Sequence, residues 1–163
     1  MYEFASISPS SEVRKSLRVD EVRWAERRIP LSRGSHVTGR VSPGAGRPSI
    51  AFESMNERRA IERILGFPEV QLVLSQPFTV HYQWEGHRRR YTPDLLIIAQ
   101  PVSAWLRRHG FGPLTVVEIK RDIEAVSREL IEARLRVAQL ATGMPVVLAT
   151  PSANANAAAG GAT

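Results

Sequence analysis

The chain has 163 residues, a net charge of +6 and a calculated isoelectric point of about 10.7. This length suits one domain with a hydrophobic core and an appended arm, and it excludes two domains of ordinary size. The excess of basic residues favours a polyanionic partner, nucleic acid or an anionic membrane, over a small acidic metabolite, and the absence of cysteine excludes disulfides, a thiolate nucleophile and a Cys-ligated zinc site.

The first segment, residues 1–50, is basic and becomes rich in Pro and Gly towards its end. A helix is predicted near Glu12 to Arg28. The stretch from Arg33 to Pro48 combines Gly, Ser, Pro and Arg, a composition typical of an extended arm. We therefore expect a basic N-terminal helix and arm attached to the core that follows.

Residues 51–150 carry the periodic patterns of a folded core. Ser54 is a helix cap with Glu57 three residues later, and an apolar stripe runs to Leu65 before Gly66 ends the helix. Strict alternation of apolar and polar residues then predicts a strand from Phe78 to Trp84.

The later elements complete an α/β fold. The first are a turn at Glu85-Gly86 and a second strand at Arg88 to Ile98, which forms a hairpin with the first strand. They are followed by a short helix at Val102 to His109, a third strand at Leu114 to Ile119, a long amphipathic helix from Ile123 that Gly143 ends, and a buried strand at Val146 to Ala149. Because the long helix joins two apolar strands, it can act as a crossover over one face of a mixed sheet. Residues 151–163, mostly Ala, Asn and Gly, are predicted to be a disordered tail.

Two short motifs end hydrophobic strands of this core. Asp94 follows Pro93, and Glu118 and Lys120 lie two residues apart on the third strand, so that alternation turns both to one face. The chain has 22 basic residues, of which only Lys15 and Lys120 are lysine. An ammonium is a compact donor whose pKa can shift, unlike a guanidinium. The place of Lys120 in this motif therefore suggests a chemical role.

Carboxylates beside a lysine are suited to metal-assisted hydrolysis of a phosphodiester. Mg²⁺ prefers hard oxygen ligands and uses few protein carboxylates. Asp94 and Glu118 are candidate ligands, the backbone carbonyl of Ile119 is a candidate third, and Lys120 would orient the water or stabilise developing charge. Glu57 is either a capping residue or a carboxylate that helps to hold metal, with Glu53 as the alternative.

Each of these residues also has a structural explanation. Asp94 can be a turn-associated acid after proline, and Glu118 with Lys120 an exposed cross-strand ion pair. The apolar neighbours of both motifs indicate central strands, where a charged trio needs partners or a metal. The triplet Arg88, Arg89 and Arg90 is either a solvated hairpin edge or a phosphate-contacting group, and the four histidines lack metal-ligand spacing.

The order of a helix glutamate, Pro-Asp at a strand end and Glu-x-Lys on the next strand resembles the PD-(D/E)XK restriction-like nucleases. The longer context resembles the catalytic domain of TnsA-type transposon endonucleases over roughly residues 28 to 150. The segments that carry this resemblance are Ile29-Pro30 with Gly39-Arg40, Phe52-Glu53-Ser54-Met55-Asn56-Glu57, Gln76-Pro77-Phe78 and Arg90-Tyr91-Thr92-Pro93-Asp94.

The resemblance implies a restriction-endonuclease-like fold, with residues 51–150 as the nuclease core. By matching position it assigns Glu57, Asp94, Glu118 and Lys120 as the catalytic set, with Gln76 in support. It also implies Mg²⁺, with Mn²⁺ as a substitute, and double-stranded DNA at transposon ends as substrate. Arg88 to Arg90, together with Arg40 and Arg47 of the arm, would then hold backbone phosphates.

In that family the enzyme cuts the non-transferred strand at the transposon's 5′ ends, while a DDE-type transposase acts on the 3′ ends. An ATP-dependent transposition regulator is a further partner, contacted in larger members by a C-terminal helical, winged-helix-like domain outside the resemblance. Two alternatives stay open: a free-standing restriction, repair or junction-resolving nuclease, and a non-catalytic DNA-binding or assembly subunit.

No apolar run approaches the roughly 20 residues that a membrane-spanning helix needs. The N-terminus carries Glu3 and Glu12 and lacks the pattern of a signal peptide. With the resemblance, these features predict a soluble, cytoplasmic, nucleoid-associated bacterial protein without a membrane partner.

Overall fold

A computed structural model of the chain describes residues 1–6, 16–24, 37–44, 46–121 and 128–152. Within these ranges the strands are β1 Tyr2–Ser6, β2 Leu17–Trp24, β3 Gly39–Val41, β4 Ile50–Phe52, β5 Val70–Ser75, β6 Phe78–Trp84, β7 His87–Tyr91, β8 Leu95–Ala99, β9 Leu114–Ile119 and β10 Val146–Pro151. The helices are α1 Met55–Leu65, α2 Ala104–Arg108 and α3 Arg128–Thr142. The chain therefore has a mixed α/β fold.

Continuous apolar runs form the centre of a large sheet with the strand order β1-β10-β9-β8-β5. β9 and β10 are parallel, and the other neighbours are antiparallel. Parallel neighbours need a crossover connection, and α3 lies between these two strands in the chain. Central strands that are buried on both faces require apolar residues at successive positions, as in Val116 and Val117.

Each face of the large sheet packs against a hydrophobic core of its own. On the α1 face, α1 buries Ala60, Ile61 and Ile64 against a cluster that includes Val117 and Ile119. On the opposite face, here called the α3 face, the cluster joins Val116 and Leu148 of the sheet to α3 and to a second, small sheet. Successive residues of β9 therefore alternate between the two cores.

The small sheet has the strand order β2-β6-β7 and is entirely antiparallel. In β6 the alternate residues Phe78, Val80, Tyr82 and Trp84 are buried and face the second core. The predicted hairpin between β6 and β7 is confirmed, with Trp84 opposite His87. Its turn residues Glu85 and Gly86 both have positive φ, at 52° and 76°, as a two-residue type I′ turn requires.

The prediction of a single strand from Arg88 to Ile98 is wrong, because this range contains two strands that belong to different sheets. β7 ends at Tyr91 and pairs with β6, whereas β8 begins at Leu95 and pairs with β5 and β9 in the large sheet. Pro93 lies in the break, consistent with its inability to donate a ladder hydrogen bond. The break places Asp94 at the entry to the large sheet. Strand β5, which the sequence analysis did not identify, supplies the outer neighbour of β8.

The N-terminal segment differs most from expectation. The helix predicted near Glu12 to Arg28 is wrong over Leu17–Trp24, which forms β2. A bulge between Val19 and Glu21 interrupts its alternation, so the apolar residues do not keep the strict period of two that predicts a strand. Residues 12–15 and 25–28 lie outside the described part.

The predicted arm also contributes regular structure to the fold. Within it, β3 pairs with β4 as an antiparallel hairpin, and Ile50 and Phe52 enter the core of the α1 face. β1 pairs with β10 at the edge of the large sheet and adds Tyr2 and Phe4 to the same core. Residues 33–36 of the arm, Ala45 and the predicted tail from 153 onward lie outside the described residues.

The other three predicted helices are present where the structure describes them. α1 begins after Ser54, whose side chain accepts from the Glu57 N–H, and ends at Gly66. α2 is a shorter form of the helix predicted at 102–109, and α3 covers 128–142 of the long helix. None of the helices in the described ranges is long and apolar enough to cross a membrane.

Candidate active site

The candidate site lies where β8 begins and β9 ends. Leu95 pairs with Val117 across the antiparallel ladder, so the next residues outward, Asp94 and Glu118, are neighbours. The Ile119 N–H donates to Asp94 Oδ2 at 2.6 Å. This contact fixes Asp94 to the end of β9 and leaves its other carboxylate oxygen, Oδ1, free of a hydrogen bond to that strand.

Glu118 is almost fully buried, at 2% exposure, and its carboxylate has two short contacts. Lys120 Nζ lies 2.6 Å from Oε1. The Tyr91 hydroxyl donates to Oε2, also at 2.6 Å. The expected common face for Glu118 and Lys120 is therefore present, but the pair is buried rather than a surface ion pair. Tyr91 reaches it because β7 packs over the α3 face.

The buried charges act on one another. Burial raises the pKa of Asp94 well above its ordinary value, and the charges of Glu118 and Glu57 add to this, against the opposing effects of Lys120 and the Ile119 N–H. For Lys120, burial lowers the pKa, but the carboxylates of Glu118 and Asp94 outweigh it and the pKa is raised. Lys120 is therefore an ammonium at neutral pH.

Glu57 lies within electrostatic range of this cluster but is hydrogen-bonded elsewhere. Its Oε2 accepts from the Glu53 N–H at 2.7 Å, and its Oε1 accepts from the Ser54 hydroxyl at 3.1 Å. Burial raises its pKa, and the charge of Glu53 adds to this, while the hydrogen bonds from the Glu53 N–H and Ser54 and the charge of Lys120 act in the opposite direction. The structure thus places Glu57 as a helix cap.

The oxygen atoms of the cluster are chemically suited to a hard divalent cation, but their arrangement suits such a cation less well. Asp94, Glu118 and the Ile119 carbonyl are oxygen ligands of the kind that Mg²⁺ prefers. Burial, followed by the charge of Glu118, raises the pKa of Asp94 although Lys120 acts in the opposite direction. Among the described residues, however, no group of three or more Asp, Glu or His side chains is arranged to hold a metal. Glu57 would have to leave its cap contacts to become a ligand.

Gln76 adjoins Asp94 on the other side. Its N–H donates to the Asp94 carbonyl at 2.9 Å, and its φ is +46°. Gln76 is 7% exposed, and among the described residues neither its Oε1 nor the neighbouring Ser75 hydroxyl has a hydrogen-bond partner. Buried polar atoms are rarely left unpaired, so this end of β5 offers polar atoms that a ligand or water could satisfy.

The predicted DNA-contacting arginines do not form one group. Arg88 and Arg90 are exposed on the outer face of the small sheet, whereas Arg89 faces inward on the side of Tyr91. Arg40 donates to the Ser49 hydroxyl and carbonyl at 2.6 and 2.9 Å, and Arg47 donates to the Val70 carbonyl at 3.5 Å. These last two are held by the β3–β4 hairpin and its neighbour.

Sequence reasoning missed two residues at the site, Tyr91 and Arg134. Tyr91 lies three residues before Asp94 in the sequence, within a segment that carries the resemblance. The charge of Arg134 on α3 acts to lower the pKa of Tyr82, Tyr91 and Lys120. Its place near the site depends on how α3 crosses the sheet, and no local motif signals that.

Comparisons with protein-family models, with curated proteins and with solved structures found no match to this chain.

Proposed function

We propose that this chain is a metal-dependent DNA endonuclease with a restriction-endonuclease-like fold. The observation that carries the proposal is the junction of Asp94 with the Glu118–Lys120 pair at the ends of adjacent strands, joined by the 2.6 Å contact from the Ile119 N–H to Asp94. Such a junction sets two carboxylates and an ammonium around one point. Charge neutralisation on a phosphodiester and activation of water need these groups.

In this proposal, Asp94, Glu118 and the Ile119 carbonyl hold Mg²⁺, for which Mn²⁺ can substitute, and Glu57 completes the ligand set after leaving its cap. The bound ion supplies charge neutralisation at the phosphate and lowers the pKa of a water. Lys120 donates to a phosphate oxygen or to the attacking water. Glu118 holds the ammonium in position, and Gln76 lines the site beside Asp94.

The fold supports the proposal through the order of its core elements. After α1, the large sheet takes up β5, β8 and β9, and α3 then precedes β10, so the core reads helix, three strands, helix, strand. The hairpin of β6 and β7 is an insertion between β5 and β8. In this proposal the core is restriction-endonuclease-like, with β5 in place of the strand predicted at residues 78–84 and the short α2 between β8 and β9.

The substrate and biological setting rest on charge and on the sequence resemblance. A net charge of +6 suits a DNA backbone. The motifs around Gln76 and Asp94 resemble TnsA-type endonucleases. We therefore propose cleavage of the non-transferred strand at transposon 5′ ends, as a subunit of a heteromeric transposase with a DDE-type partner, in a nucleoid-associated setting. An ATP-dependent regulator is a further proposed partner.

The test is cleavage of an end-labelled transposon-end duplex in Mg²⁺ or Mn²⁺, with and without the DDE-type partner. Asp94→Ala and Lys120→Ala are each expected to reduce the rate about 100-fold or more, by the loss of charge stabilisation at the phosphate. Asp20→Ala and Arg108→Ala are the controls, because each removes a charge of the same sign from an exposed residue outside the cluster. Undiminished cleavage by both cluster variants would refute the assignment of the site.

The same experiment separates the two alternatives. A free-standing nuclease cuts duplex DNA without a partner, whereas a transposase subunit cuts only in its presence. A non-catalytic DNA-binding subunit never cuts, with any partner. The capped position of Glu57 and the incomplete ligand cluster are the observations that favour this last alternative.

A further inference from the structure

One tryptophan of the small sheet is unusually exposed. Trp24, the last residue of β2, is 54% exposed, whereas Trp84 in the same sheet is 6% exposed. An indole has a large apolar area and is well buried in most proteins. The indole of Trp24 is therefore available to a partner that offers another flat, apolar surface.

The ring of Trp24 is positioned by Phe78. The two residues lie opposite each other in the ladder between β2 and β6, so they share the face that packs on the second core. Their ring centres are 4.7 Å apart, with 49° between the ring planes. Phe78 is fully buried. An exposed ring that rests on a buried one is held in place before a ligand binds, which lowers the entropic cost of binding.

This ring pair lies at the end of the small sheet that adjoins the candidate site. Phe78 follows Gln76 by two residues, and the Gln76 N–H donates to the Asp94 carbonyl at 2.9 Å. A hydrogen bond of 2.7 Å between the hydroxyls of Thr79 and Thr92 joins the same end of β6 to the segment before Asp94. The path from the Asp94 backbone to β2 is therefore no longer than about 17 Å. This is the length of roughly five nucleotides at about 3.4 Å each.

A nucleobase is the partner that suits an exposed indole at this distance from the site. The proposed site binds a DNA strand, and bases of any sequence stack on aromatic side chains. The net charge of +6 attracts the DNA backbone but makes no contact with the bases. Bases inside a duplex already stack on their neighbours, so Trp24 requires a base that is unpaired.

We propose that Trp24 stacks on an unpaired base of the DNA strand held at the candidate site, within about five nucleotides of the phosphate that is cut. This proposal rests on the proposed nuclease function, which supplies DNA as the ligand. The residues of the proposed site act on the phosphate, and Trp24 adds a contact to a base. The DNA that binds best is then a duplex with an unpaired segment next to the cut.

The experiment measures equilibrium binding of the full chain in EDTA to a fluorescent duplex with an unpaired end, at several salt concentrations. Trp24→Ala should bind about 5- to 150-fold more weakly than wild type, the usual loss for one stacked base. The slope of log affinity against log salt should not change, because stacking releases no counterions. Leu114→Ala is the control. It also removes an exposed apolar side chain, but at the start of β9, the opposite end from Glu118, and it should bind like wild type.

An abasic nucleotide placed at each position of the unpaired segment in turn identifies the stacked base. At that position, the abasic change should weaken binding by wild type and have little further effect on Trp24→Ala, because both changes remove the same contact. Trp24→Phe keeps an aromatic ring and should bind more tightly than Trp24→Ala. Circular dichroism checks that each variant is folded. If Trp24→Ala does not fold, Trp24→Leu replaces it, because leucine keeps an apolar cover over Phe78 without a ring.

The proposal is overturned if the folded Trp24→Ala protein binds this DNA as tightly as Leu114→Ala, an outcome that would leave the exposed ring to a protein partner. It is also overturned if no abasic position removes the difference between wild type and Trp24→Ala. If wild type binds no DNA, the proposed function fails as well. Binding that depends on Trp24, together with no cleavage in Mg²⁺, would refute the nuclease activity and support the base contact.

Discussion

At the residue scale, the buried carboxylate of Glu118 depends on Tyr91. The phenol donates to Oε2 at 2.6 Å, while Lys120 occupies Oε1. Burial, followed by the charges of Glu118 and Asp94, raises the pKa of Tyr91 well above its ordinary value. The hydroxyl therefore keeps its proton at neutral pH and remains a donor. Tyr91 is thus a positioning residue for Glu118.

Tyr91→Phe is expected to destabilise the metal-free fold by about 1–3 kcal/mol, because a buried charged acceptor loses its donor. Tyr2→Phe is the matched control, since the Tyr2 hydroxyl donates to the neutral Asn56 carbonyl at 2.7 Å, a bond worth about 0.5–1.5 kcal/mol. Denaturant unfolding compares the stability of the two variants.

In the cleavage assay, Tyr91→Phe should need about 10–100 times more Mg²⁺, as is typical when a residue behind a metal ligand is lost. Equal unfolding costs and an unchanged Mg²⁺ requirement would contradict this role.

At the element scale, the start of α1 combines a cap with a candidate ligand. Ser54 accepts from the Glu57 N–H, and the Glu57 carboxylate returns to the Glu53 N–H. The carboxylate is partly buried and its pKa is raised, chiefly by that burial. A cap needs only an acceptor oxygen, whereas a carboxylate ligand also supplies a negative charge to the metal. The two roles can therefore be separated by substitution.

Ser54→Ala should cost about 1 kcal/mol of stability through loss of the cap, with little effect on cleavage. Glu57→Gln keeps an acceptor for the Glu53 N–H but removes the charge, so we expect near-normal stability and loss of cleavage. Unfolding and cleavage are measured on both proteins. If Glu57→Gln cuts like wild type, Glu57 is only a cap, and Glu53→Gln tests the other candidate carboxylate.

The elements that could be predicted from sequence are those whose pattern is local. The cap at Ser54, the alternation in β6 and the turn at Gly86 each depend on near neighbours, and each was located correctly. β2 was mistaken for a helix because its bulge breaks the period of two. The break between β7 and β8 follows from which sheet each strand joins, which is a long-range choice.

At the scale of the whole molecule, two cores with different partners determine the environment of the candidate site. Strand alternation predicted correctly that Glu118 and Lys120 share a face, because that requires only the pleat. Which face they share, and the contact of Tyr91 with Glu118 on that face, depend on how the small sheet and α3 pack. Tertiary packing therefore encloses the Glu118–Lys120 pair, which the sequence places only at a strand end. We expect this burial to make the stability of the fold depend on pH.

The raised pKa of Asp94 determines the direction in which pH changes the free energy of unfolding. As pH rises above about 4, the unfolded chain releases the proton of this carboxyl while the folded state still holds it. The folded state then binds more protons, so this group's contribution to stability declines as pH rises through the folded pKa. For the metal-free protein, Asp94→Asn keeps an acceptor for the Ile119 N–H and removes this decline.

We therefore expect Asp94→Asn to match the unfolding free energy of wild type near pH 4 and to exceed it at pH 8. Asp20→Asn is the control with the opposite sign: the Arg18 hydrogen bond lowers the pKa of Asp20, so its contribution is present above the ordinary pKa and lost as pH falls. Denaturant unfolding in EDTA from pH 4 to 8 gives both curves. Adding Mg²⁺ should then stabilise wild type and not Asp94→Asn, because a cation that binds the folded state shifts unfolding by mass action. If the gain in unfolding free energy of Asp94→Asn stays constant with pH, the fold does not raise the pKa of Asp94. If Mg²⁺ stabilises both proteins equally, the cation binds elsewhere.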